Sequence, residues 1–171
     1  MRCFVTSLIL LSLWVLQVSP ALGEDEAIFS PERSIKEILL REVESVTSTI
    51  DLAIREITSP DMAHALMKAK GRGVKVRIVT DSKQAKMKSS QVTHLIQEGI
   101  PVKVLRGKDH GVMNHRFGIF DGKKVVTGSF DWSEASEKWN YENILILMNS
   151  DRVTSYQKEF DRLWRGKRVI H

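Results

Sequence analysis

The spacing of apolar residues changes several times along this chain, and each change marks an element. In "SIKEILLREVESVTST", Ile35, Ile38, Leu39 and Val43 recur at helical intervals, and Ser34 with Glu37 forms a capping box, so a helix is predicted to begin there. "IDLAIREI" alternates instead, which predicts a strand carrying Ile50, Leu52 and Ile54, with Ile57 at its end. Ser59-Pro60 opens a second helix as N-cap and first-turn proline; Met62, Leu66 and Met67 lie along it and "GRG" at 71–73 stops it. "VKVRIVTD" then predicts a strand from Val74, "SSQVTHLIQEG" a helix ending at Gly99, and "PVKVLRG" another strand.

The texture changes after residue 110. "NHRFGIFDGKKVVTGSFDW" predicts two strands around a tight Asp121-Gly122 turn, a hairpin signal. "ENILILMN" is apolar enough for a central strand, and "DRVTSYQKEFDRLWRG" predicts a helix with Val153, Tyr156, Phe160 and Leu163 or Trp164 inward. Strand–helix–strand order with short connections predicts an α/β fold: a mixed, mostly parallel central sheet flanked by helices.

Residues 1–23 follow another rule. Arg2 precedes an apolar run from Phe4 to Leu16, followed by Pro20 and Ala21-Leu22-Gly23, the order of a secretory signal peptide. The run is shorter than the roughly 20 residues of a spanning helix. The sequence therefore predicts a secreted or periplasmic protein with a single domain over residues 24–171; the alternative is a membrane anchor through residues 4–16. Cys3, the only cysteine, falls in this segment, so residues 24–171 have no disulfide, thiolate nucleophile or cysteine-ligated metal.

With 42% hydrophobic and 27% charged residues, the composition is that of a globular domain. The formal charge is +5, and Arg2 is the only charged residue in the first 23, which leaves +4 beyond it. Basic residues gather at 68–77, 83–88, 103–108 and 162–168. Such a field suits a polyanion, nucleic acid or an anionic lipid surface; taken one by one the clusters also read as ordinary solvated faces.

The candidate chemistry lies in "VMNHRFGIFDG", residues 112–122, where an amide (Asn114), an imidazole (His115) and a guanidinium (Arg116) stand in a row before Asp121. Together with "FSPERS", "ITSPDMAHALMKAKGRGVKVRIVTD" and "TGSFDWSEASEKWNYENILIL", this segment resembles the phospholipase D superfamily, in its single-motif branch of bacterial nucleases and mitochondrial cardiolipin hydrolases. That family's motif is His-x-Lys, four residues, Asp, then Gly-Ser-x-Asn and a Glu-Asn strand. The resemblance places Asn114 at the nucleophile position, Arg116 at the Lys, Asp121 at the Asp, and matches Gly128, Ser129, Glu142 and Asn143; Asp131 stands for Asn.

What the resemblance implies is a phospholipase D-like fold hydrolysing phosphodiesters of nucleic acid or anionic phospholipid. It implies no cofactor and no metal, and a homodimer in which two motifs meet on a two-fold axis. The implied catalytic set is Asn114, Arg116, Asp121 and Glu142, and the implied phosphate-binding set Arg116, Ser129, Asp131 and Asn143. An imidazole suits such a site because it can take a phosphoryl group and lose it again near neutral pH. A carboxylate such as Glu142 would fix its tautomer, and the cation and small donors would hold the charged oxygens.

The substitutions then matter. An amide neither attacks phosphorus nor shuttles a proton. Arg116 keeps a grip on phosphate, and Asp131 opposes binding unless it is protonated or paired with Arg116. Residues two apart on a strand share a face, so His115 is predicted to face away from Asn114 and Arg116, against a helix. A bulge beside Gly118 would instead make His115 the nucleophile. His110 lies in a loop near the motif, while His64 and His94 read as surface or packing residues on helices. Trp132 and Trp139 bracket the segment after Ser129, either as core and rim packing or as a stack for bases. Two readings stand: a working phosphodiesterase, or an impaired dimer that binds nucleic acid or other phosphate-rich ligands.

Overall fold

A computed structural model of the chain describes residues 25–166, so the predicted signal segment at 1–23 lies outside the described residues. The elements are β1 (Glu26–Phe29), α1 (Ile35–Ser45), β2 (Thr49–Ile54), α2 (Pro60–Gly71), β3 (Lys75–Asp81), α3 (Val92–Gln97), β4 (Val102–Leu105), β5 (Arg116–Phe120), β6 (Lys124–Gly128), α4 (Glu134–Lys138), β7 (Asn143–Leu147) and α5 (Ser150–Arg165). Ser34 caps α1 as the sequence predicts: its Oγ accepts from the Glu37 N–H at 3.3 Å.

All seven strands form one sheet in the order β1-β7-β6-β5-β2-β3-β4. The predicted mostly parallel sheet is corrected here. Only β2–β3 and β3–β4 pair in parallel, whereas β1–β7, β7–β6, β6–β5 and β5–β2 are antiparallel. The βαβ half of the chain gives the parallel pairs, and the hairpin half joins it through β5 alongside β2, with opposite direction.

Helices cover the two faces unequally. On one face α1, α2 and α3 bury Leu39, Leu66 and Leu95 against Leu52, Ile78, Val126 and Ile144. On the other, α5 lays Val153, Phe160 and Leu163 on Val79, Phe117, Ile119 and Val125. Arg77 fixes that helix: its guanidinium bonds Asp51 at 2.7 and 2.6 Å and lies 4.9 Å from the Phe160 ring centroid and 5.4 Å from that of Trp164. Lys103, buried in β4, donates to the carbonyls of Trp164 and Gly166 at the helix end. A cation from one of the basic clusters is thus spent on packing.

The hairpin turn places Asp121 and Gly122 at φ 52° and 64°, and the Lys123 N–H closes it on the Phe120 carbonyl at 3.0 Å. Two successive positive φ angles match the right-handed twist of the strands, which is why Asp-Gly serves there.

Candidate functional site

Three chain segments converge at one end of the sheet: the end of β2, the start of β5 and the loop after β6. Arg116 opens β5 opposite Ile54, which brings it beside Arg55. Both arginines reach the same carboxylate oxygen. Asp131 Oδ2 accepts from Arg116 Nη2 at 2.9 Å and from Arg55 Nε at 3.2 Å, with Arg55 Nη2 at 3.1 Å. Asp131 is 5% exposed, so its charge is nearly desolvated, while both arginines keep some contact with solvent. Among the described residues, the buried side-chain polar atoms without a hydrogen-bond partner are Arg116 Nε and Asp131 Oδ1.

The loop that presents Asp131 is pinned from both ends. The Trp132 carbonyl accepts from the Thr58 and Ser59 N–H groups at 2.9 and 3.0 Å, and Ser136 Oγ accepts from the Asp131 N–H at 3.2 Å. Trp132 is buried, so it packs the core and offers no stacking face.

Glu142 organises the other side. Its carboxylate accepts from Ser129 Oγ, from Ser136 Oγ at 3.0 Å and from Asn140 Nδ2 at 2.9 Å, while its N–H donates to Ser30 Oγ at 2.9 Å. Ser129 Oγ in turn accepts from the Asn143 N–H at 3.0 Å. The carboxylate expected to orient a group at position 114 is therefore committed to the Ser129–Ser136–Asn140 cluster. Gly128 makes the close approach possible: a Cβ there would overlap the Asn143 carbonyl oxygen and come within 2.8 Å of Ile144 Cα.

Asn114 and His115 precede β5 and are both exposed. They form the ridge between two clefts. One, of about 420 Å³, is lined by Asn114, His115, Arg116, Phe117, Thr127, Gly128, Ser155, Tyr156 and Glu159; the other, of about 260 Å³, includes Arg106, Val112, Met113 and Arg162. His115 faces α5: its Nε2 lies 3.1 Å from Glu159 Oε1 and its ring meets Phe117 edge-on at 5.4 Å. Glu159 also takes two bonds of 2.7 Å from Arg162. Its carboxyl is held below the ordinary value, chiefly by the Arg162 hydrogen bond acting against burial, with Arg162 and His115 charge adding to the effect.

Asp121 does not join the site. It lies at the far end of β5, roughly 17 Å along the strand from Arg116 at about 3.3 Å per residue. Its carboxylate accepts from the N–H groups of Thr47, Ser48 and Thr49 and the hydroxyls of Thr47 and Ser48. Burial pushes its pKa up, yet those donors outweigh it and hold it well below the usual carboxylate range. The expectation of Asp121 as a catalytic residue is thus corrected to one that ties the α1–β2 loop to the hairpin. Arg55 and Glu159, absent from the sequence-derived set, are brought in by the fold. Among the described residues no three of His, Cys, Asp and Glu gather as a metal site.

A profile described as "Cardiolipin synthase, PLD-like domain" matches residues 39–164. Curated relatives named mitochondrial cardiolipin hydrolase include that of Chlamydomonas reinhardtii, 34% identical over 120 residues (70% of this chain, 53% of the relative), and that of Homo sapiens, 34% over 126 residues (74% and 49%). The chain spans about half the length of the curated relatives it matches. Among solved structures, the phospholipase D family member Nuc from Salmonella typhimurium superposes with a TM-score of 0.76 at 27% identity, covering 86% of this chain and 99% of that one. NucT from Helicobacter pylori shares the fold, with a TM-score of 0.75 at 24% identity over 82% of this chain and 95% of that one. The expected secreted or periplasmic location is overturned by the relatives, whose names are mitochondrial. An early cation before an apolar run does not by itself specify the compartment.

Proposed function

The chain belongs to the phospholipase D-like family, and from that membership we propose that it hydrolyses phosphodiester bonds of nucleic acid or phospholipid, without metal or cofactor, at a site completed by a second copy. The observation that carries this reading is Arg116, on the wall of the 420 Å³ cleft with its side chain partly exposed. Such a group can bond a non-bridging phosphate oxygen and hold the charge that develops on it. Ser129, Asn143 and Glu142 match the family pattern, and hydrogen bonds tie the three to one another. One motif per chain supports the homodimer, because the family's site takes two.

Two observations favour the second reading, a dimer that binds phosphate and turns it over poorly. Asn114 is at the nucleophile position, and Asp131 already holds one arm of Arg116. Purified protein incubated with EDTA and single-stranded DNA, RNA or cardiolipin separates the two. Cleavage products that grow with time support the enzyme; binding without products supports the silent dimer.

A further inference from the structure

The large hydrophobic residues that stay exposed are unevenly placed. Met87, Val112, Trp139 and Tyr141 are 47, 43, 79 and 89% exposed, and each lies in a loop at the end of the sheet that carries Arg116. Phe29, also exposed, closes β1 at that same end. Among the described residues, the loops at the opposite end, around 46–48, 72–74, 98–101, 121–123 and 148–149, expose no large hydrophobic side chain. We infer that the site end of the molecule is a docking surface for an anionic lipid bilayer, a role that goes beyond the hydrolysis proposed above and does not require it.

Charge identifies the surface it meets. The β3–α3 loop sets Lys83, Lys86 and Lys88 around Met87; all three are exposed, and among the described residues no carboxylate pairs with any of them. Arg106, in the β4–β5 loop with Val112, is exposed and bonds Ser82 Oγ at 3.3 Å through its Nε. By contrast Arg33, Lys138 and Arg162 are each neutralised by a neighbouring glutamate. Unpaired cations around an aliphatic tip suit an anionic headgroup layer. Each Lys or Arg near such a surface gains about fivefold in affinity, and the apolar tip enters the acyl boundary beneath. A single-stranded nucleic acid would take the same cations but stacks its bases on aromatic rings, and neither loop has a Phe, Tyr or Trp.

The two basic loops are tied together by a buried acid. Asp81, 1% exposed at the end of β3, accepts from the Lys83 and Gln84 N–H groups at 2.9 and 3.2 Å through Oδ1, and from the Met113 N–H at 3.0 Å through Oδ2. The Ser82 N–H donates to the Leu105 carbonyl at 2.8 Å, and the Gly107 N–H to the Gly111 carbonyl at 3.1 Å. Met87 and Val112 are thus held in place before a partner arrives, which lowers the ordering cost of binding. Beyond Arg116, the α4–β7 loop presents Trp139 and Tyr141, whose rings suit the headgroup level because one part of each is apolar and another polar. The strand order puts β5 and its Arg116 between this loop and the lysine loop, which are roughly 19 Å apart at four strand spacings. A flat bilayer touching both would close over the Arg116 cleft at the depth of its phosphates.

The test mixes the full chain with phosphatidylcholine vesicles, with and without roughly one-fifth phosphatidylglycerol, and reads affinity by co-sedimentation and contact by amide hydrogen exchange. Wild type is expected to prefer the anionic vesicles by at least about tenfold, and the preference to shrink as salt rises. Exchange should slow at 83–90, 107–113 and 138–141 and stay unchanged at 46–48 and 121–123. Lys83→Gln, Lys86→Gln and Lys88→Gln combined are expected to weaken anionic binding about 100-fold. Met87→Ser and Trp139→Ala are each expected to weaken it about three- to tenfold, with folding checked by circular dichroism. Residues 1–23 are the same in every variant, so the ratios isolate the loops. Protection at the opposite end, equal affinity for both vesicles, or a triple variant that binds as wild type does overturns the inference. So does a triple variant that loses a single-stranded oligonucleotide but keeps the vesicles, which makes the loops a nucleic-acid track. So does a Trp139→Ala variant that separates two copies but keeps the vesicles, which gives that patch to the second copy. Vesicle binding without cleavage of any diester overturns the phosphodiesterase reading and leaves the docking surface standing.

Discussion

Asp131 Oδ2 sits 2.9 Å from Arg116 Nη2, so a buried carboxylate from the loop after β6 holds one arm of the guanidinium proposed to bind phosphate. Arg55 shares the same oxygen, and the pair neutralises a charge that would otherwise repel substrate. Asp131→Asn removes that charge and leaves two arginines facing an amide. The variant should lose about 1–3 kcal/mol of stability, less than a fully buried pair because both arginines keep some solvent contact. It should also bind phosphate about tenfold tighter, near 1.4 kcal/mol. Thermal melts and a phosphate titration read the two effects, and a variant that is more stable with weaker binding contradicts the clasp.

Asp121 gives a pH signature. Its folded pKa is depressed, so its stabilising contribution is fully present above the unfolded value of about 4 and is lost as pH falls below it. Asp121→Asn should cost about 1–3 kcal/mol at neutral pH through lost charge-assisted hydrogen bonds. Its melting temperature should then fall less steeply than wild type's on acidification. Parallel curves for the two proteins would remove Asp121 from this role.

Gly128 is required by backbone proximity, since β7 passes where a side chain would be. Gly128→Ala should destabilise the fold by about 1–3 kcal/mol and displace Ser129 from Glu142. A melt reports the first effect. Weakened phosphate binding reports the second.

The proposed dimer is checked by sedimentation. The full chain should travel as two copies at micromolar concentration. A monomer that nonetheless cleaves substrate would show that one motif suffices.

How much of this was legible depended on distance along the chain. The Ser34–Glu37 box, the Ser59-Pro60 start and the Asp121-Gly122 turn are local chemistry, and each element lies where the pattern puts it. Strand direction was not local: β1 pairs with β7 across more than a hundred residues, and alternation names no partner. The same holds for Arg55, which meets Asp131 across 76 positions, and for Glu159, an ordinary polar position on an amphipathic helix until His115 packs on it. The family motif marked Arg116, Ser129 and Glu142, but could not say that Asp121 serves the α1–β2 loop, because that follows from which donors surround it.

The central claim is that phosphodiester binds in the cleft lined by Asn114, Thr127 and Gly128 with Arg116 at its wall. Titrating dimethyl phosphate, in EDTA, into ¹⁵N-labelled protein tests it most directly. The account predicts saturable amide shifts concentrated at residues 114–116, 127–129 and 143, abolished by Arg116→Ala. Shifts confined to other surfaces, such as the lysines of 83–88 or the exposed Trp139 and Tyr141, or shifts that survive Arg116→Ala unchanged, would contradict it.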